Sequence, residues 1–194
     1  MNPRHYLDFI IEPKVDDGDR TQRRAAGVPA AVVAGAALRV LHGAFKERPG
    51  RYALALPRYA DRPFSTLRVF AGERDDLDEL VQAVESHPVI RDYIQLGYPR
   101  KVPVDYDGTW TEFRRYRIPA RRSCRKPDDD LRERRMQRAQ TERLPFFIMH
   151  SQSTGQQFGL YVEIRPAARP SSDGIPDSYG LSVTTRPFAL PDLR

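Results

Sequence analysis

Hydroxyl and amide side chains are concentrated in one short segment, Ser151–Phe158, whose sequence is SQSTGQQF. The segment lies between two apolar runs of β-strand character, Leu144–Met149 and Gly159–Ile164, so it is predicted to be the turn of a hairpin. An ordinary hairpin turn does not need so many hydrogen-bond donors. Three of the donors are hydroxyl side chains: Ser151, Ser153 and Thr154. They could bind a phosphate or a sugar, and the ring of Phe158 could stack on a base.

His42 is the most informative of the four histidines. It falls within a helix predicted over Pro29–Lys46, with proline in the first turn. Its apolar residues cluster on one side: Val33, Ala37, Val40, Leu41 and Ala44. His42 lies opposite that cluster, between Arg39 and Lys46, where it could accept a proton from a ribose at neutral pH. The alternative, an ordinary exposed histidine, stays open.

The other histidines carry weaker signals. His5 lies in a predicted strand near the N-terminus. His87 precedes Pro88 at a helix end and is most simply a surface or capping residue. His150 directly precedes the hydroxyl-rich turn and is a second candidate for chemistry.

Positive charge is localised in the middle of the chain. Residues 111–140 hold ten arginines and one lysine against five acids, which equals the whole net charge of +6. A helix is predicted from Asp128 to about Glu142, with Arg134, Arg135 and Arg138 on one side and Glu133 away from them. This arginine face is predicted to be mostly unneutralised and to contact phosphates. A solvated charged helix remains the alternative.

The composition excludes several classes of protein. With 194 residues, 40% hydrophobic and 30% charged, the chain is expected to fold into a globular protein. Its single cysteine, Cys124, excludes an internal disulfide, and no metal-binding motif occurs, so neither metal nor cofactor is predicted. No run approaches the ~20 apolar residues needed to cross a bilayer, and Arg39 interrupts the stretch after Arg23–Arg24 that resembles an export signal. We therefore expect a cytoplasmic protein with no membrane partner.

The predicted fold class is α+β. Residues 1–98 have the order β-α-β-β-α-β of a ferredoxin-like domain, which would carry His42. Its predicted elements are the strands His5–Glu12, Arg51–Pro57, Thr66–Ala71 and Val89–Leu96 and the helices Pro29–Lys46 and Glu73–Glu85. Residues 99–194 are predicted to form a C-terminal domain with a linker to about residue 112, a strand Phe113–Ile118, the arginine-rich helix and β-hairpin structure.

Four motifs together resemble the type I-F CRISPR-associated endoribonuclease family, which cuts precursor CRISPR RNA at its repeat hairpins. They are HYLDFIIEP near the N-terminus, LHGAF around His42, LPFFIMHSQSTGQQF, and SYGLS near the C-terminus. The resemblance implies a metal-independent enzyme that leaves a 2′,3′-cyclic phosphate. It also implies that the protein stays bound to the mature crRNA hairpin and joins the other subunits of an RNA-guided surveillance complex.

The resemblance also implies roles for individual residues. His42 matches the general base that activates the 2′-hydroxyl, Ser151 the residue that orients this nucleophile, and Tyr179 the residue that positions the histidine. Phe158 matches the aromatic residue that stacks beneath the hairpin's closing base pair. The matched arginine-rich helix docks in the hairpin's major groove and carries Arg132, Arg134, Arg135 and Arg138.

Two departures from the family pattern concern RNA recognition. Arg117 matches an arginine that reads a base beside the stem, but Pro119 stands where a glutamine is usual. The arginine-rich helix is diluted by Glu133, Gln137 and Ala139, which implies an altered stem or a weaker grip on it. A non-catalytic subunit that only binds the crRNA hairpin is the alternative function, since the same arginines and Phe158 would serve it.

Overall fold

The computed structural model describes residues 2–11, 28–119, 130–150, 155–168 and 174–193. These residues form two antiparallel β-sheets and four helices. The first part of the chain contains β1 (His5–Ile10), α1 (Ala30–Glu47), β2 (Tyr52–Ala55), β3 (Thr66–Ala71), α2 (Arg74–Val84), α3 (Pro88–Tyr93), β4 (Gln95–Leu96) and β5 (Arg100–Lys101). The second part contains β6 (Trp110–Tyr116), α4 (Leu131–Thr141), β7 (Phe146–His150), β8 (Gln157–Ala167) and β9 (Leu190–Pro191).

The first sheet has the strand order β2-β3-β1-β4, and its pairings are antiparallel. The two crossover connections run through α1 and α2, which is the arrangement predicted for the ferredoxin-like part of the chain. Both helices bury an apolar stripe that includes Leu38 and Leu41 of α1 and Leu77 and Leu80 of α2. The predicted α+β fold is confirmed.

The predicted fourth strand, Val89–Leu96, is mostly wrong. Only Gln95–Leu96 pairs with β1, whereas Pro88–Tyr93 forms the short helix α3. Proline is favoured in the first turn because its φ angle suits the helix and its missing N–H is not needed there. The side chain of His87 accepts a hydrogen bond from the Val89 N–H, so His87 is the capping residue that its position before Pro88 suggested.

The second sheet has the order β7-β8-β6-β9. Strands β7 and β8 form the predicted hairpin, in which Met149 pairs with Phe158 and His150 with Gln157. The hydroxyl-bearing residues 151–154 of its turn lie outside the described residues. Helix α4 packs on part of the outer face of the sheet, where the Tyr161 hydroxyl contacts the sulfur of Met136.

Two strands differ from the sequence-based prediction. Arg100–Lys101, expected to lie in a linker, form β5 and pair with β1. Strand β8 extends from Gln157 to Ala167, beyond both ends of the predicted run Gly159–Ile164. The two sheets also share one apolar core, in which Phe147, Leu160 and Val162 of the second sheet join the buried residues of the first. A division of the chain at residue 98 stays a prediction.

Within the described part of the chain, no helix combines the length and apolar character needed to span a membrane.

Candidate active site

Helix α1 packs closely against strand β7 of the second sheet at a glycine, Gly35. Gly35 is buried, and a Cβ added to it would lie 3.3 Å from the carbonyl oxygen of Ile148 in β7. That approach is tighter than most Cβ contacts, so the missing side chain lets the helix axis come close to the edge of the sheet. His42 lies seven residues later, about two helical turns, and is therefore held on the β7 side of α1.

A second connection joins the two sheets through residues 177–182. The Leu54 N–H of β2 donates to the Gly180 carbonyl at 2.7 Å, and the Arg115 N–H of β6 donates to the Ser182 carbonyl at 2.9 Å. Gly180 has a φ of 77°, and an added Cβ would lie 2.9 Å from the Leu54 nitrogen. Glycine is thus required here by both conformation and space, and it brings Tyr179 onto α1.

The carboxylate of Asp177 stabilises the conformation of residues 177–182. Its Oδ1 accepts hydrogen bonds from the Tyr179 N–H at 2.8 Å and the Leu181 N–H at 3.1 Å. Its Oδ2 accepts a hydrogen bond from the Arg115 guanidinium at 3.1 Å. The carboxylate therefore satisfies two backbone donors and an arginine of the second sheet, as aspartate often does in turns.

The ring of His42 is fixed by the same segment. Its Nδ1 lies 2.6 Å from the Ser178 carbonyl oxygen, and because a carbonyl only accepts, Nδ1 must carry the proton. In the neutral ring, Nε2 is then unprotonated and can accept a proton. The ring also stacks on Tyr179, with centroids 4.0 Å apart and an angle of 7° between the planes.

Tyr179 is itself buried between charged and aromatic neighbours. The Arg115 guanidinium carbon lies 5.0 Å from the centre of its ring. Burial raises the pKa of the Tyr179 phenol above its usual value, and the positive charge of Arg115 opposes this. The phenol is therefore neutral at physiological pH and serves as a flat support for His42.

A groove of about 940 Å³ opens beside this pair. We call it the histidine groove, because its lining includes His42, His87 and His150, together with Phe158, Tyr179, Arg39 and Lys46. The structure thus brings His42, Tyr179 and Phe158 to one surface. Ser151, Ser153 and Thr154 lie outside the described residues, but both flanks of their turn, His150 and Phe158, line the groove.

The expected environment of His42 is partly wrong. Helical spacing placed it on a solvent-facing ridge opposite the core, whereas its ring is half-buried and one face is covered by Tyr179. Helical spacing could not show this, because the segment that covers the ring, residues 177–182, is distant in sequence and packs beside α1.

A second groove, of about 770 Å³, lies between α4 and β6, β8 and the residues before β9. We call it the arginine groove, because its lining includes eight arginines and two acids, so its net charge is strongly positive. The arginines are Arg114, Arg115, Arg117, Arg134, Arg135, Arg138, Arg165 and Arg186. Arg132 is directed elsewhere, since its guanidinium donates to the Pro119 carbonyl. Arg115, which lines the second groove, lies over the ring of Tyr179, which lines the first.

The prediction that the arginine face of α4 is mostly unneutralised is wrong. Arg134 pairs with Asp130 at 3.0 Å, and Arg138 pairs with Glu142 and with Glu163, each at 2.7 Å. The partners Asp130 and Glu142 are one helical turn away, as expected for i,i+4 pairs. Glu163 comes from β8 and could not be recognised from helical spacing. Because Arg134 and Arg138 remain about half-exposed or more, they can still exchange these carboxylates for phosphates.

Sequence reasoning missed the residues that hold the site together. Gly35, Arg115 and Asp177 fix the positions of His42 and Tyr179. Only Asp177 had a local signal, because an aspartate two residues before a backbone donor is typical of a turn. The roles of Gly35 and Arg115 depend on contacts between distant segments.

The described residues contain no group of three or more His, Cys, Asp or Glu side chains that could hold a metal ion. The charged and titratable residues that line the histidine groove carry imidazole, phenol, guanidinium and ammonium groups.

Comparisons with known proteins place the chain in a family. Residues 21–191 match the family of CRISPR-associated proteins described as Cas_Csy4. Similar solved structures include the CRISPR endoribonuclease Cse3 bound to 19 nt RNA, with 13% identity, a TM-score of 0.40 and coverage of 98% of this chain and 100% of that one. Another is Thermus thermophilus Cse3 bound to an RNA representing a pre-cleavage complex, with 12% identity, a TM-score of 0.35 and coverage of 97% and 100%. No curated relative matches the chain. The match includes three of the four motifs, all but HYLDFIIEP at residues 5–13, and confirms the resemblance: the chain belongs to the Cas_Csy4 family of CRISPR-associated proteins.

Proposed function

We propose that this protein is a CRISPR RNA-processing endoribonuclease that cuts precursor CRISPR RNA at the base of its repeat hairpin without a metal ion. The observation that carries the proposal is the tautomer of His42. Its Nδ1 donates to the Ser178 carbonyl at 2.6 Å, which leaves Nε2 free to accept a proton. This nitrogen belongs to a residue that lines an open groove, where an RNA backbone can reach it.

In the proposed reaction, Nε2 of His42 takes the proton of a ribose 2′-hydroxyl, and the oxygen attacks the adjacent phosphorus. The bond to the 5′ oxygen of the next nucleotide breaks, which yields a 2′,3′-cyclic phosphate and a 5′-hydroxyl. Ser151 orients the attacking hydroxyl, and Tyr179 holds the imidazole. Arg39 and Lys46 line the same groove, and their positive charges favour the extra negative charge on the phosphate in the transition state.

The hairpin stem is proposed to bind in the arginine groove, with the base of the stem at Phe158. Arg117, Arg134, Arg135 and Arg138 line this groove and can bind phosphates or guanine edges in a bidentate way. Arg115 of this groove lies over Tyr179 of the histidine groove, so the two grooves are adjacent and one RNA is proposed to occupy both. Binding of the cleaved hairpin then continues after the reaction, and the bound crRNA would carry the protein into a complex with other subunits.

The test is single-turnover cleavage of a synthetic repeat RNA in excess EDTA. We expect one cut at the 3′ base of the hairpin and a cyclic phosphate on the upstream product. His42→Ala is expected to abolish cutting while hairpin affinity stays within a few-fold, because a general base acts chiefly in the transition state. His5→Ala is the matched control, since His5 lies in β1 near the Gly72 carbonyl and does not line the histidine groove.

Other results would contradict the proposed reaction or the role of His42. A requirement for magnesium, or no cleavage of any repeat hairpin, would refute the proposed reaction. Tight, specific hairpin binding without cleavage would favour the alternative of a non-catalytic subunit. Loss of binding in His42→Ala would show that His42 maintains the structure of the RNA site.

A further inference from the structure

Breaking the bond to the 5′ oxygen requires a proton as well as a base. An alkoxide is a poor leaving group, so a side chain that protonates the 5′ oxygen accelerates the reaction. His42 is the proposed base and begins the reaction without a proton on Nε2. A different group must therefore supply the proton. This inference rests on the proposed function.

The histidine groove offers few candidates for the donor. The titratable and charged side chains that line it are Arg39, His42, Lys46, His87, His150 and Tyr179. Among these side-chain types, only imidazole ordinarily gains and loses a proton between pH 5 and 8. Arginine holds its proton throughout, and burial raises the pKa of the Tyr179 phenol further. Two histidines other than His42 remain.

The side chain of His87 caps the N-terminus of α3. The Val89 N–H donates to its Nδ1 at 3.2 Å, so this nitrogen must keep its lone pair for the cap to form. Protonating the ring would place a hydrogen on Nδ1 opposite the donor and break the cap of α3. Service as a proton donor would therefore cost His87 its hydrogen bond to the helix, which favours the other histidine.

Within the described part of the chain, His150 does not cap a helix as His87 does. It is the last residue of β7, is exposed, and pairs in register with Gln157 of β8. His150 lines the same groove as His42 but belongs to a different element, the strand whose backbone packs against Gly35 of α1. We propose that His150 is the general acid of the reaction and donates a proton to the departing 5′ oxygen.

The step balances with two histidines. The 2′-hydroxyl proton moves to Nε2 of His42 as the new bond between the 2′ oxygen and phosphorus forms. The bond between phosphorus and the 5′ oxygen breaks, and the proton of the His150 imidazolium moves to that oxygen. His42 ends protonated and His150 neutral, and exchange with water restores both.

The test uses two repeat RNAs that differ at one atom. One carries the natural 5′ oxygen at the scissile phosphate, and the other carries sulfur in that bridging position. A thiolate leaves without protonation, so the sulfur substrate does not need a general acid. Single-turnover rates are measured for the wild type, for His150→Gln and for His5→Gln, from about pH 5 to about pH 9 to span the range of imidazole titration. His5→Gln is the matched histidine control, since His5 does not line the histidine groove.

We expect His150→Gln to cut the oxygen substrate about 100-fold or more slowly than the wild type, the usual contribution of general acid catalysis. The same variant should cut the sulfur substrate within a few-fold of the wild type, and the fall in rate at high pH should disappear. His5→Gln should cut both substrates within a few-fold of the wild type.

A His150→Gln variant that is equally slow on both substrates would overturn the proposal, because His150 would then act by positioning RNA. Full activity on the oxygen substrate would overturn it as well. Failure of the proposed function looks different: the wild type would cut neither substrate, or His42→Ala would cut either of them.

Discussion

The imidazole of His42 lies face to face with the phenol of Tyr179, with ring centroids 4.0 Å apart. The two rings come from α1 and from the segment 177–182, which is hydrogen-bonded to both sheets. The Ser178 carbonyl holds one nitrogen of the same imidazole, so neighbouring residues fix both the plane and the tautomer of the ring. Tyr179 therefore contacts His42 through the face of its ring.

Substitutions of Tyr179 test which part of the side chain matters. Tyr179→Phe keeps the stack, so we expect a cleavage rate within a few-fold of the wild type. Tyr179→Ala removes the stack, whose typical strength of about 0.5–1.5 kcal/mol corresponds to a loss of up to roughly tenfold in rate. Single-turnover cleavage at saturating protein measures both. Equal losses in the two variants would show that the hydroxyl takes part.

The same residue predicts how stability changes in alkaline solution. Burial raises the pKa of the Tyr179 phenol, so the unfolded chain releases this proton at a lower pH than the folded protein does. The stability it contributes is complete below the ordinary phenol pKa of about 10 and is lost as the pH rises through the folded-state pKa. Urea denaturation should show a smaller alkaline loss for Tyr179→Phe than for the wild type. Some loss should remain, because burial also raises the pKa of Tyr52 and of Tyr59.

Two substitutions of Asp177 separate what its hydrogen bonds and what its charge contribute to the conformation of residues 177–182. Asp177→Asn keeps an oxygen for the Tyr179 and Leu181 N–H groups but removes the negative charge beside Arg115. Asp177→Ala removes both. We expect cleavage and thermal stability to fall in the order wild type, Asn variant, Ala variant, because unsatisfied buried donors cost more than one partly exposed ion pair. If both variants behave alike, the ion pair with Arg115 is what holds the segment.

Alanine substitutions at Gly35 and Gly43, both within α1, provide a matched comparison. Alanine is favoured over glycine inside a helix by about 1 kcal/mol, and a Cβ at Gly43 meets nothing within 4 Å. Gly43→Ala is therefore expected to raise the free energy of unfolding. A Cβ at Gly35 would lie 3.3 Å from the Ile148 carbonyl oxygen, and relieving such an overpacked contact costs about 1–3 kcal/mol.

We therefore expect Gly35→Ala to be less stable than Gly43→Ala in urea denaturation. It should also cleave RNA more slowly, because α1 would move away from β7 and carry His42 with it. Equal stabilisation by both substitutions would show that the sheet yields easily, and that the close approach at Gly35 does not set the position of the helix.

The sequence predicted the ferredoxin-like elements well where one face of a helix or strand is regularly apolar. It failed at Val89–Leu96, where an apolar run resembled a strand and the local signal of His87 followed by Pro88 started a helix. Apolar character alone does not distinguish the two for a short segment. A proline preceded by a capping side chain was the better guide.

The candidate site was predicted in part for the same kind of reason. His42 and Tyr179 belong to recognisable motifs, and the structure places their rings in contact. The carbonyl of Ser178 and the approach at Gly35 depend on segments that are distant in sequence, so no local pattern reports them. The same distinction applies to the ion pairs of α4. Asp130 and Glu142 are four residues from their arginine partners and could be recognised from helical spacing, whereas Glu163 comes from β8 and could not.

These ion pairs predict different consequences for two arginines of α4. Arg134 pairs with Asp130, and both side chains are exposed, whereas Arg138 also pairs with Glu163, whose side chain is only 7% exposed. Arg138→Ala should therefore lower the free energy of unfolding more than Arg134→Ala, which removes a surface pair of little value. Both variants should bind the repeat hairpin more weakly and reduce the salt dependence of binding by about one phosphate contact.

Hairpin affinity measured at several salt concentrations, together with urea denaturation, separates the two effects. If Arg138→Ala lost stability but kept the wild-type salt dependence, Arg138 would serve α4 and the sheet rather than the RNA. If neither variant changed the salt dependence, the arginine groove would not hold the stem, because removing a cation that contacts a phosphate must reduce the number of counterions released on binding.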